Sequence, residues 1–159
     1  MSTRPSAQAA TVIAVLAALG VPLAHAASIT SCTVTVAGVA FGTYTPMQST
    51  PLDMNGTINI ACTGITGRNT VTIDLGTGAS NSYVTRTLIS GTYTLNYNLY
   101  FDAGYTQVWG NGAGTSVEGS ATIRKHAPNA SLPVYGAIAA GQDPAPGSYA
   151  DTILVTVNY

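Results

Sequence analysis

The sequence predicts an all-β fold, an immunoglobulin-like β-sandwich of about seven antiparallel strands. Three observations carry that expectation. Apolar residues alternate with period two in segment after segment, clusters of Gly, Pro and Asn separate the segments, and nothing beyond residue 26 has helical spacing. A closed barrel would accommodate the same strands but would hide both terminal ones. This chain instead ends on a strand whose apolar side chains alternate to the last residue, so the sandwich is the expectation.

The first segment reads as a leader. Arg4, an apolar run from Ala9 to Leu19, then Gly20, Pro22 and the small-x-small triplet Ala24-His25-Ala26 predict a secretory signal over residues 1–26, cleaved after Ala26. The run falls short of the ~20 residues a membrane span needs, so no membrane insertion is expected. Cleavage leaves 133 of the 159 residues, one domain over residues 27–159.

Strands are expected at Cys32 to Val36, Gly56 to Cys62, Thr70 to Leu75, Tyr93 to Phe101, Val117 to Ile123, Leu132 to Ala139 and Asp151 to Tyr159. In the first, Val34 and Val36 share a phase that Val39 and Phe41 break, so a bulge at Gly38 is expected to kink the strand. Ile58, Ile60 and Cys62 mark the inward face of the second; Val71, Ile73 and Leu75 mark the third. In the fourth expected strand, Tyr93, Leu95, Tyr97 and Leu99 point inward while Thr94, Asn96 and Asn98 face water. Turns are read at Asn55-Gly56, Gly64, Gly76-Thr77-Gly78, Gly110-Asn111-Gly112, Pro128-Asn129 and Pro144-Ala145-Pro146-Gly147. The last strand puts Ile153, Val155, Val157 and Tyr159 on one face. With no following strand to cover them, its free edge points to a partner.

Composition excludes several functions. The two cysteines, Cys32 and Cys62, form an exported pair with no third thiol and are expected to make one disulfide. A metal site would need further ligands, and His126 is the only histidine after Ala26. Arg68, Arg86, Arg124 and Lys125 stand against Asp53, Asp74, Asp102, Glu118, Asp143 and Asp151, and only Arg124-Lys125-His126 clusters positive charge, so nucleic acid is not the expected partner. No Gly-x-Ser-x-Gly, His-x-x-x-His or phosphate-loop spacing occurs, and neither an enzyme nor a cofactor is expected. Asp74 and Asp102 are read as turn caps, Asp151 as the start of the last strand. Trp109, the only tryptophan, is a surface or packing aromatic, with packing beside the Gly110-Asn111-Gly112 turn the stronger reading. Asn55-Gly56-Thr57 and Asn129-Ala130-Ser131 match the glycosylation acceptor pattern, read here as accidental.

Four pieces in order, over Cys32 to Tyr159, resemble a known family. They are Cys32-Thr33-Val34 with Val39-Ala40-Phe41-Gly42-Thr43-Tyr44; Leu95-Asn96-Tyr97-Asn98-Leu99-Tyr100-Phe101-Asp102 leading to Val108-Trp109-Gly110; Val134-Tyr135-Gly136 with Gly141-Gln142; and Gly147-Ser148-Tyr149-Ala150-Asp151-Thr152. The chain resembles the spore coat protein U domain family, which includes subunits of archaic, Csu-type chaperone-usher pili. That resemblance implies an incomplete sandwich lacking its last strand, with a groove lined by Ile153, Val155, Val157 and Tyr159. A periplasmic chaperone would first fill the groove; at the outer-membrane usher a neighbouring pilus subunit would replace it by donor-strand exchange. It further implies export through the periplasm to the cell surface, and a role in attachment and biofilm formation. Given cleavage after Ala26, only Ala27 to Ser31 precede Cys32, at most ~17 Å of chain with one large apolar side chain, Ile29. Such a subunit accepts but does not donate, which favours a minor or tip-associated place. The competing expectation is a self-sufficient secreted spore-coat-like or carbohydrate-binding module, closed by its own edge strands.

Overall fold

The computed structural model describes residues 27–159, so the expected leader over residues 1–26 lies outside the described residues. Eight strands follow one another: β1 Ser31–Ala37, β2 Leu52–Thr63, β3 Arg68–Leu75, β4 Arg86–Ser90, β5 Tyr93–Tyr100, β6 Gly119–Arg124, β7 Asn129–Ile138 and β8 Val155–Asn158. A 3-10 turn at Gly78–Ser80 is the only helical element among the described residues. The ladders are antiparallel, and they build a five-stranded sheet, β1-β2-β7-β5-β4, against a three-stranded one, β6-β3-β8.

Between the sheets lies the core that the alternation predicts. Ile58, Ile60, Leu95, Tyr97, Leu99, Leu132, Val134 and Ile138 of the larger sheet meet Val71, Ile73, Leu75 and Ile123 of the smaller, all buried. Trp109 is fully buried among them. Its indole N–H donates to Ile73 O at 2.8 Å, and its ring stands edge-to-face to Phe101 at 4.9 Å. A side chain at Gly119 would collide with that indole, so the bare glycine is what lets the ring in. The packing reading of Trp109 holds and the surface reading does not.

Several expectations need correction. β4 was not expected, because its inward position opposite Tyr97 is taken by a charged residue, Arg86, which is fully buried and breaks the apolar period. Asn55-Gly56 is not a turn: it lies inside β2, where a Cβ on Gly56 would fall 2.6 Å from Ala37 O. β1 does not kink onward through Gly38. It stops at Ala37, and Val39 and Phe41 pack over Gly136 on the inner face of the larger sheet. Asn98, assigned to the wet face, is buried because it serves Arg86 and the 83–84 backbone. Asp74 caps no turn but accepts a hydrogen bond from Asn158 Nδ2 at 3.1 Å across the β3–β8 ladder. Asp102 does organise its turn, accepting from the N–H groups of Thr106 and Gln107.

The final strand is shorter than predicted. Ala150 still pairs with Ile89 of β4 in the larger sheet, its carbonyl accepting at 2.8 Å and its N–H donating at 3.1 Å. The chain then crosses between the sheets and joins β3 only at Val155.

Cys32 and Cys62 face each other across the β1–β2 ladder and are bridged, with 30 residues of sequence separation. Replacing both with Ser is expected to lower unfolding stability by roughly 3 to 4 kcal/mol, the chain entropy of a loop this long. Urea unfolding checks it, with the m-value expected to rise because the uncrosslinked denatured state is more expanded.

Candidate functional site

The imbalance of five strands against three leaves part of the larger sheet's inner face without a facing strand. β8 pairs with β3 on one side only, so its other edge carries unpaired backbone donors and acceptors. Beside that edge runs an apolar cleft of about 220 Å³. Ile58, Leu88, Leu99 and Val134 form its floor, Ile153 and Val155 one rim, and Val36, Val39 and Phe41 the other. It continues into a wider cavity of about 620 Å³ between residues 39–46 and 144–151. Val36, on the expected inward face of β1, lines this cleft and remains 52% exposed.

Of the residues expected to line a groove, Ile153 and Val155 do so. Val157 is half-buried against the core, two pairs further along the β3–β8 ladder. Tyr159, past the end of the ladder, is 58% exposed and lines neither cavity. The opposite rim was missed as a site. Its one signal in the sequence was the broken phase of Val39 and Phe41, which marks the point where the chain leaves β1 to lie over the open face.

Two polar clusters fix the cleft's shape. The buried Arg86 guanidinium donates from Nε and Nη2 to Gly76 O at 3.0 and 2.8 Å, from Nη2 to Trp109 O at 2.7 Å and from Nη1 to Asn98 Oδ1 at 2.6 Å. Tyr83 stacks over it, with 5.3 Å from Cζ to the ring centroid. Burial lowers its pKa, and its hydrogen-bond partners are carbonyls and an amide rather than a carboxylate.

Where the chain crosses between sheets, the Asp151 carboxylate accepts from Tyr97 Oη at 2.7 Å, Ala79 N at 3.0 Å and Thr152 N at 2.8 Å. One side chain thus ties the β8 approach to β5 and to the 3-10 turn. Burial first, and the Asp151 contact second, push the Tyr97 hydroxyl far above its ordinary value. These groups position backbone; among the described residues no cluster of three His, Cys, Asp or Glu is placed to hold a metal. What the site offers is an apolar trough beside an unpaired strand edge, the shape that receives an extended segment.

Comparison with known proteins bears on the family and the fold. A model of the family described as the Spore Coat Protein U domain matches residues 18–156. Among solved structures, the chain is similar to one from the chaperone–tip adhesion subunit pre-assembly complex of the archaic chaperone-usher Csu pili of Acinetobacter baumannii. The TM-score is 0.57 at 21% identity, a likeness of fold, and covers 81% of this chain and 39% of that one. No curated protein matches the chain.

A pH dependence follows from Tyr97. Its folded-state pKa lies above the ordinary 10.0, so the folded form keeps a proton that the unfolded chain loses. The stabilisation is complete below pH 10.0 and fades as pH rises beyond it. Tyr97→Phe is expected to cost about 1 kcal/mol at neutral pH, through the lost hydrogen bond, and to flatten the alkaline decline. Chemical unfolding from pH 7 to 11 checks both.

Proposed function

The chain belongs to the Spore Coat Protein U domain family, and from that premise we propose that it is a structural subunit of a chaperone-usher pilus, working by strand acceptance and not by catalysis. The observation that carries this reading is the unpaired edge of β8 above the apolar cleft. An inserted strand would pair with β8 through its backbone and drop alternate apolar side chains against Ile58, Leu88, Leu99 and Val134. In the cell the occupant is first a periplasmic chaperone and then a neighbouring subunit brought up at the outer-membrane usher. The route is export behind the 1–26 leader, passage through the periplasm and display on the cell surface, where the fibre serves attachment and biofilm formation.

A minor or tip-associated place is part of the proposal. Residues 27–31 do not stand free to serve as a donor. Ser28 pairs with Thr66, its N–H donating to Thr66 O at 3.1 Å and its carbonyl accepting at 2.9 Å, and Thr30 N–H donates to Thr63 O at 3.0 Å. Ile29 packs against the chain's own core. Cleavage after Ala26 would leave a subunit whose N-terminal segment is spent on its own fold.

Periplasmic co-expression with a pilus chaperone is expected to raise the soluble yield, and the two proteins should co-purify. Val155→Glu, which places a charge in the cleft, should weaken capture about tenfold or more, the equivalent of about 1.4 kcal/mol. Leu154→Ser, at a position 72% exposed, should leave it unchanged. A wild-type chain that is monomeric, cooperatively folded and indifferent to the chaperone would overturn the reading in favour of a self-closed module.

A further inference from the structure

The outer face of the five-stranded sheet, turned away from the cleft, carries a second concave feature. Strand register sets Asp53, Ala137 and Asn98 in one row across β2, β7 and β5, and Asn55, Tyr135 and Tyr100 in the next. In the central strand the outward side chain of that first row is only a methyl. Ala137 and Ala139 therefore line a trough of about 330 Å³, with Asp53 on the β2 side and Asn96 and Tyr100 on the β5 side. That volume lies within the ~300–1,000 Å³ typical of small-molecule sites.

Tyr105 completes the trough, and its backbone is out of the ordinary. At φ +56° it occupies the left-handed region that a side chain with a Cβ normally avoids. Asp102 imposes this: its carbonyl accepts the Tyr105 N–H at 3.1 Å, and its carboxylate accepts from Thr106 N and Gln107 N at 3.0 and 2.7 Å. The Tyr105 ring is thereby set edge-to-face to Tyr100 at 5.5 Å and to Tyr135 at 6.3 Å. None of the three belongs to the core or packs against it, so core packing does not require the strain. Strained residues held by their surroundings cluster at ligand clamps, and core packing does not account for this one.

The chemistry of the trough is equally selective. The Asp53 side chain is exposed and accepts no hydrogen bond from the described residues. Partial burial first, and the Asp53 charge second, raise the Tyr100 and Tyr105 hydroxyls above their ordinary values, which puts the carboxylate within electrostatic reach of both. No Lys or Arg lines the trough, so an anion finds no partner there.

We propose that this trough binds a neutral carbohydrate ring, its apolar C–H face against Tyr100 and Tyr105 and its hydroxyls bonded to Asp53 and Asn96. An organic cation could use the same rings and carboxylate but would leave the Asn96 amide without a role. The site is separate from the strand-accepting cleft and does not depend on it.

Saturation-transfer NMR on the full exported chain, with the methyl glycosides of glucose, galactose, mannose and N-acetylglucosamine at millimolar concentration, tests the assignment. At least one sugar should receive saturation. Tyr105→Gly should weaken that binding tenfold or more while leaving the melting temperature unchanged or higher, because glycine relieves the positive φ. A purely structural tyrosine would instead lower the melting temperature. The proposal is overturned if none of the four sugars binds, if tetramethylammonium binds and the sugars do not, or if Tyr105→Gly binds sugar as well as wild type.

Discussion

The unpaired edge of β8 is the constraint around which the rest of the molecule is organised. Eight strands divide five to three, so the smaller sheet is too narrow to cover the inner face of the larger. Hydrophobic burial would favour closing that gap, and the chain closes part of it by laying Val39 and Phe41 over Gly136. It does not close the rest: a cleft remains beside β8, with free backbone groups on its edge. Unpaired edges and uncovered apolar faces are both unfavourable in isolation, and one inserted strand would relieve both at once. That coincidence of two deficits in one place is what supports the strand-accepting proposal.

An open sandwich must keep its two sheets in register without the strand that would otherwise lock them. Buried polar contacts supply that connection at the cleft's end. Arg86, on the larger sheet, donates to Gly76 O just past β3 and to Trp109 O, while Trp109 donates to Ile73 O within β3. Asp151 ties the crossing segment to Tyr97 of β5 and to the 3-10 turn. Each replaces hydration of a buried group with a protein partner, so removing one member would orphan the others. The 32–62 bridge acts within the larger sheet instead, fixing β1, its edge strand among the described residues, to β2.

The outer face shows how the same sheet can carry an unrelated role. Period-two alternation that buries Leu95, Tyr97 and Leu99 necessarily turns Asn96 and Tyr100 outward, where they border a trough above two alanines. Strand acceptance and ligand capture can therefore occupy opposite faces of one sheet, with only Tyr97 bordering both.

Much of this was legible in the sequence, for a physical reason. Period-two burial is a local property, so Ile58, Ile60, Val71, Ile73, Leu95 and Leu99 declared their inward face before any pairing was known, and the alternation of the last residues declared a strand with no cover. The resemblance supplied the rest of the groove's meaning. What failed were positions where distant segments meet. Arg86 reads as a surface charge until the carbonyls of Gly76 and Trp109 surround it, and Asn55-Gly56 reads as a turn until Ala37 passes over it. Tyr159 keeps the right phase but lies beyond the ladder, which ends at the Thr72–Asn158 pair. The sequence by itself determined the fold class, the core and the last described strand, all of which follow from side-chain alternation. Only the tertiary structure decided where the sheets part, which residues form the second rim, and that Asp53 lines one trough with Tyr100 and Tyr105. Those depend on contacts between segments far apart in the chain, which no local period encodes.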